Sequence, residues 1–222
     1  MQVATPQLLP GQRLTLDEFL RRWEAMPELK RAELIDGIVY MPSPVGRSHS
    51  SHELKMAMWI GAYESATPGT EGASNPTVLL LGNAPQPDVF LRILAEYGGQ
   101  SRTEGELAAG PPELAVEVCA TSKAYDLGPK LKLYERAGVR EHLTLILKPA
   151  QVIWRELVDG KYVLFEADPD GILRSRVFPG LWLDSAAAIA GDGARVLAVL
   201  QQGLASPEHA EFVRTLAWRR SS

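Results

Sequence analysis

The sequence has almost no cysteine, no excess of positive charge and no long apolar run. The single cysteine, Cys119, excludes an internal disulfide, and there is no zinc-finger or thiol-redox spacing. A formal net charge of −4 argues against a protein that coats nucleic acid by general attraction, although a local basic groove stays compatible with it. No segment approaches the ~18–20 apolar residues that span a bilayer, and the N-terminus has no secretory signal pattern. We therefore expect a soluble, cytoplasmic protein with no membrane partner.

The chain does have enough apolar residues for a sizeable core, since 45% of its 222 residues are hydrophobic. Turn residues and apolar periodicity predict two hairpins, centred on Asp36-Gly37 and Asp159-Gly160. The segment 66–76 is predicted as turns, and 94–112 as a surface loop or a ragged hairpin extension. Strands are predicted at 77–82, 87–93, 113–118 and 142–149, with a final strand and turn at 172–183. Helices are predicted at 16–25, 49–63, before Gly138, at 193–203 and at 207–218. This order predicts a mixed α/β or α+β sheet with flanking helices and a C-terminal helical tail.

Two of the predicted strands carry an acidic residue. Asp88 lies in QPDVFLRI at 86–93, and Glu117 lies between two valines in PPELAVEV at 111–118. A carboxylate in such an apolar strand must be solvated, paired or bound to a metal, because burying an isolated charge is costly. If the two strands are neighbours, Asp88 and Glu117 can hold one hard cation such as Mg²⁺ through oxygen ligands.

The helix predicted after the second strand carries a lysine. Asp126, Lys130 and Tyr134 follow one another at intervals of four residues and therefore share a helix face. Lys130 is then a candidate for orienting a water molecule or stabilising developing negative charge. The alternative is a solvated salt bridge between Asp126 and Lys130, which spacing alone does not exclude.

Taken together, five segments resemble the Uma-two family of restriction-endonuclease-like proteins, which belongs to the PD-(D/E)XK nuclease superfamily. The segments are ELIDGIVYMPSP, QPDVFLRI, PELAVEV, YDLGPKLKLYERAGVRE and GILRSRVFPGLWLD. The resemblance implies a central mixed sheet flanked by helices, a Mg²⁺ or Mn²⁺ site, and hydrolysis of DNA phosphodiester bonds. It covers about 14–190, so we expect a flexible leader at 1–13 and a helical extension at 191–222 packed on the same domain.

The resemblance also assigns roles to residues. It implies that Asp88 and Glu117 are the metal ligands and that Glu33 is an additional ligand or a water-positioning group. The superfamily commonly places a lysine two residues after the second acid, where this chain has Cys119. Relatives with this pattern carry the lysine on the following helix, which implies Lys130.

Further residues and alternatives stay open. His49 matches a histidine common in the family and is a possible accessory residue, as are Asp126 and Tyr134. Lys123 is a second lysine that could replace Lys130. The altered turn EVCATS after the second acid and the acidic composition also allow a nuclease-fold protein with a binding or regulatory role. A homodimer is expected if both strands of a duplex are cut.

Overall fold

A computed structural model describes residues 5–41, 46–119 and 128–221. Within these ranges the helices are α1 Leu16–Glu24, α2 Arg47–Ala66, α3 Pro129–Ala137, α4 Ser185–Ala190, α5 Gly193–Leu204 and α6 Pro207–Ser221. The strands are β1 Glu33–Ile35, β2 Ile38–Tyr40, β3 Thr70–Ser74, β4 Val78–Leu79, β5 Val89–Ile93, β6 Arg102–Glu104, β7 Leu107–Ala109, β8 Leu114–Cys119, β9 Glu141–Leu147, β10 Ala150–Val158, β11 Lys161–Leu164, β12 Ile172–Arg174 and β13 Trp182–Asp184. The predicted mixed α/β architecture is confirmed.

Six of the strands form the central sheet, in the order β11-β10-β9-β8-β5-β3. Strands β8 and β9 are parallel and are separated in sequence by α3, whereas all other neighbours in the sheet are antiparallel. A parallel pair needs a crossover connection, and a helix is the usual one. The sheet is therefore mixed, and α3 lies between its two central strands in the chain.

Side chains alternate across this sheet and so create two separate cores. Val89, Leu91 and Val116 point to one face, where they pack with Trp59 of α2 and with the C-terminal helices. Phe90 and Ala115 point to the other face and pack with Leu133 and Tyr134 of α3. The helix α3 therefore covers the face on which Asp88 and Glu117 are expected.

The hairpin of β1 and β2 turns at Asp36 and Gly37, whose φ angles of 50° and 75° are both left-handed. This matches the predicted tight turn. A bridge between Leu34 and Ala84 fixes the hairpin beside the segment that precedes β5. Leu8 is buried in the same small core as Phe19 of α1.

Two sequence predictions are corrected by the structure. The segment 66–76 was expected to be turns, but it contains β3, which forms an edge of the central sheet by pairing with β5. Its sequence, TEGAS, has few of the β-branched and aromatic residues that identify strands. In 94–112 the hairpin alternative is the one found, since the short strands β6 and β7 pair antiparallel. The strand predicted at 77–82 is limited to Val78–Leu79.

The C-terminal helices contribute to the larger core through Val196, Leu200 and Leu216. None of the helices in the described ranges combines the length and apolar character that crossing a bilayer requires. The division into leader, domain and extension stays a prediction.

Candidate active site

Asp88 and Glu117 meet where β5 begins and β8 nears its end. The antiparallel register pairs Val89 with Val116, and one further step along it sets Asp88 opposite Glu117. The amide of Val118 donates a hydrogen bond of 2.7 Å to Asp88 Oδ2. Both carboxylates are largely buried. The two acids therefore lie side by side on the face that α3 covers, as directly opposed residues of an antiparallel pair do.

Lys130 joins this pair from the first turn of α3. Its Nζ lies 2.8 Å from Glu117 Oε1 and 2.9 Å from Glu33 Oε1, and it donates a hydrogen bond of 2.8 Å to the Gln86 carbonyl oxygen. The lysine is only 3% exposed. The interpretation of Lys130 as part of a solvated salt bridge on a helix surface is therefore wrong.

Glu33 reaches the site from the first strand of the N-terminal hairpin. Its Oε1 accepts a hydrogen bond of 2.6 Å from the Gln86 amide, besides its contact with Lys130. One carboxylate oxygen thus ties the hairpin both to the turn before Asp88 and to α3. This position makes Glu33 a neighbour of the two acids although it is more than fifty residues earlier in the chain.

Behind Glu117, buried aromatic residues fix the position of its carboxylate. The Tyr134 hydroxyl donates a hydrogen bond of 3.0 Å to Glu117 Oε1, and burial raises the pKa of Tyr134 well above its ordinary value. The Tyr134 ring lies 5.5 Å from the ring of His142. Burial lowers the pKa of His142 to about 3, and the nearby Arg155 and Lys130 act in the same direction. Tyr134 is therefore a neutral donor, and His142 is a neutral ring at physiological pH.

On the other side, His49 approaches Asp88 from the start of α2. His49 Nε2 lies 3.5 Å from Asp88 Oδ2, and His49 Nδ1 lies 3.6 Å from Glu53 Oε2. The Asp88 carboxylate raises the pKa of His49, with smaller contributions from Glu53 and the Val118 backbone, and burial opposes them. Glu53 in turn accepts a hydrogen bond from the Asn75 side chain. His49 thus lies between two carboxylates that favour its protonated form.

The structure therefore brings together most of the residues that the sequence singles out. Asp88, Glu117, Lys130, Glu33, Tyr134 and His49 lie around one point. Lys123 and Asp126 lie outside the described residues. Sequence reasoning missed Glu53, Asn75, His142, Thr144 and Arg155. Their proximity to the site arises from strand register and helix packing, for which the sequence has no local signal.

The charges of the cluster are suited to a divalent cation. Glu33, Asp88, Glu117 and Glu53 contribute four formal negative charges, and Lys130 and protonated His49 contribute two positive charges, which leaves two negative charges in a largely buried site. Mg²⁺ is commonly held by one or two carboxylates together with water and substrate oxygens. Asp88 and Glu117 provide such a pair. Within the described ranges, no group of three or more His, Cys, Asp and Glu residues is arranged to hold a metal alone.

The fold and the cluster are those expected of a restriction-endonuclease-like protein. The chain matches the model of the Uma2 family, described as "Putative restriction endonuclease", over residues 16–186. The chain belongs to this family, and the resemblance seen in its motifs is confirmed. Membership indicates a nuclease.

A solved structure from Anabaena variabilis, described as a "putative nuclease belonging to DUF820", is similar in fold. It is 17% identical, its TM-score is 0.62, and the match covers 80% of this chain and 98% of that one. At this identity the likeness concerns the fold alone. No curated protein matches the chain.

Proposed function

We propose that this protein is a divalent-metal-dependent endonuclease that hydrolyses DNA phosphodiester bonds. The observation that carries the proposal is the contact of one buried lysine, Lys130, with both Glu33 and Glu117, beside the register-paired Asp88. A buried group of acids and a lysine in this order along the chain is the set that the family resemblance implies.

In this proposal each residue has a distinct role. Asp88 and Glu117 are the residues that would hold Mg²⁺ or Mn²⁺, which when bound would supply Lewis-acid chemistry for phosphodiester hydrolysis. Lys130 orients the attacking water or stabilises developing negative charge. Glu33 holds Lys130 in place, and the Tyr134 hydroxyl fixes the Glu117 carboxylate. The protein is further proposed to act in the cytoplasm, as a homodimer if it cuts both strands of a duplex.

A second candidate is a nuclease-fold protein with a binding or regulatory role. An ammonium group has three N–H donors, and among the described residues Lys130 contacts Glu33, Glu117 and the Gln86 carbonyl oxygen. Such contacts also occur in a structural ion-pair network. Titration calorimetry with Mn²⁺ separates the two candidates, since an intact fold that binds no metal supports the second.

The test of the first candidate compares cleavage of supercoiled plasmid and linear duplex by wild-type protein and Asp88→Asn, in Mg²⁺ and in Mn²⁺. Loss of one electrostatic catalytic group typically lowers the rate by about 10²–10³-fold, and we expect at least that loss here. Glu104→Gln is the matched control, because Glu104 is an exposed carboxylate paired with Arg102 away from the cluster. Cleavage by Asp88→Asn at the wild-type rate overturns the assignment of the site.

A further inference from the structure

Arg155 lies on the same sheet face as Glu117, two strands away. It pairs with His142 in the register of β9 and β10, whereas Glu117 pairs with Thr144 in the register of β8 and β9. The guanidinium is displaced along the strand direction from its register partner His142. Its Nη1 donates a hydrogen bond of 3.2 Å to Thr144 Oγ1, so the side chain extends toward the level of Glu117.

This guanidinium is half-buried, and no carboxylate among residues 5–41, 46–119 and 128–221 forms an ion pair with it. Within the described part of the chain, Thr144 Oγ1 is its one hydrogen-bond partner, although a guanidinium has five N–H donors. By contrast, Arg92 is paired with Glu71 and Arg176 with Glu156. Burial lowers the pKa of Arg155, whereas Tyr162 and Cys119 act in the opposite direction. An anion that approached this guanidinium from outside the chain would offset the cost of burying its charge.

Arg155 is the register partner of the buried His142 on the neighbouring strand. Burial is the main cause of the lowered pKa of His142, and the charges of Arg155 and Lys130 act in the same direction. Lys130 contacts the Glu117 carboxylate directly. On the other side of Glu117, its register partner on β9 is Thr144, and Thr144 accepts the hydrogen bond from Arg155 on β10. Adjacent strands are separated by about 4.8 Å. A second positive group therefore lies within a few strand spacings of the proposed reacting centre.

We propose that Arg155, oriented by Thr144, binds a phosphate group of the DNA backbone on the β9 side of Glu117. The planar guanidinium suits two oxygens of one phosphate, which is the contact that arginine makes better than lysine. Thr144 acts as a positioning residue, because it sets the direction of the guanidinium without contacting the ligand. This inference rests on the proposed function for the identity of the ligand as a phosphodiester.

The test measures the affinity for a short fluorescein-labelled DNA duplex by anisotropy, in EDTA and over a range of salt concentrations, so that binding is separated from cleavage. We expect Arg155→Gln to raise the Kd about tenfold and to lower the salt slope by about one, the effect of losing one phosphate contact. Arg155→Lys keeps the charge and therefore the slope, with a smaller loss of affinity. Arg176→Gln is the matched control and binds as wild type, because its guanidinium is already paired with Glu156.

A wild-type Kd and salt slope for Arg155→Gln overturn the proposal, provided that thermal unfolding shows an intact fold. If Arg155→Gln does not fold, Arg155→Lys and Thr144→Val carry the test, and unchanged binding by both overturns it. Failure of the nuclease proposal is a separate outcome. If the wild type binds duplex through Arg155 but cleaves no DNA with any metal, the nuclease proposal is refuted and the phosphate contact of Arg155 is retained. Inorganic phosphate at matched ionic strength tests a free-phosphate site. Arg155-dependent stabilisation by phosphate, with duplex binding unaffected by Arg155→Gln, overturns the DNA assignment.

Discussion

At the scale of single residues, Lys130 contributes to stability as well as to the proposed chemistry. Its ammonium group compensates Glu33 and Glu117 in a site where water has little access. Breaking a buried ion pair by removing one partner typically costs about 3–5 kcal/mol, because a buried charge is left without compensation.

We expect Lys130→Met to lose about 3–5 kcal/mol of unfolding free energy in urea denaturation. Lys132 is the control, because it is exposed on the same helix, and Lys132→Met should change stability by less than about 0.5 kcal/mol. Equal losses of unfolding free energy for the two substitutions would contradict the buried ion pairs of Lys130 with Glu33 and Glu117. Any activity lost by Lys130→Met must be measured below the unfolding transition, so that chemistry and folding are separated.

His142 gives a second prediction, which concerns pH. Burial lowers its pKa from 6.5 to about 3, so the unfolded chain binds a proton below pH 6.5 while the folded protein does not. The contribution of the neutral ring to stability is therefore present above pH 6.5 and is lost as the pH falls toward about 3. The slope approaches about 1.4 kcal/mol per pH unit for one proton.

The measurement is urea denaturation of wild type and His142→Phe at several pH values between 7.5 and 4.5, a range chosen around the pKa values in question. The ring-preserving substitution keeps most of the aromatic packing against Tyr134. We expect wild type to lose stability relative to the variant as the pH falls. Parallel pH profiles would contradict the burial of a neutral histidine at this position.

At the scale of elements, α3 is the helix whose placement determines the site. It ends at Gly138, whose φ of 89° lies in the left-handed region that favours glycine, and whose amide donates to the Tyr134 and Glu135 carbonyl oxygens. A Cβ added there meets no atom within 4 Å, so only the backbone conformation opposes a side chain. A substitution at Gly138 therefore measures the free-energy cost of the left-handed backbone conformation without a contribution from side-chain packing.

Gly138→Ala should therefore lower the unfolding free energy by about 1 kcal/mol. Gly61→Ala is the matched comparison, because Gly61 lies within α2 and a Cβ there also meets no atom within 4 Å. That substitution should raise stability by up to about 1 kcal/mol, since alanine is the better helix former. Thermal or urea unfolding of both variants checks the opposite signs.

The elements show which parts of the fold are readable in the sequence. The hairpins at Asp36-Gly37 and Asp159-Gly160 were predictable, because residues that accept left-handed backbone angles lie between short apolar runs. The strand β3 was not, because its place at the sheet edge depends on pairing with β5 rather than on its own composition. Apolar periodicity identifies helices and strands that bury one face, but it does not identify a strand that is stabilised mainly by backbone hydrogen bonds to its neighbour.

At the scale of the whole molecule, the site joins distant parts of the chain. The hairpin that carries Glu33, the strands that carry Asp88 and Glu117, and the helix that carries Lys130 all meet there. The sequence predicted the identity of these residues through their resemblance to a family. It could not predict His142, Thr144 or Arg155, because the first two become neighbours through the parallel register of β8 and β9, and Arg155 through the antiparallel register of β9 and β10.

A metal bound at this junction should stabilise the entire fold, since only the folded chain brings its ligands together. At a Mg²⁺ or Mn²⁺ concentration ten times the Kd, the gain is about 1.4 kcal/mol, or a rise in Tm of roughly 3–6 °C for a chain of this size. Asp88→Asn should abolish the rise and Glu104→Gln should preserve it, with NaCl of matched ionic strength as the reference. An equal rise in Asp88→Asn would locate the metal elsewhere.

The position of the lysine also affects how such proteins can be found and how they can diverge. Cys119 lies in a buried strand position two residues after Glu117, while the ammonium that meets Glu117 belongs to the first turn of α3. Position 119 therefore does not supply the ammonium group of the site. Position 130 is restricted by charge and reach. A sequence pattern that requires a lysine two residues after the second acid does not match a chain in which the lysine lies on the following helix. A pattern that places the lysine in the first turn of that helix does match it.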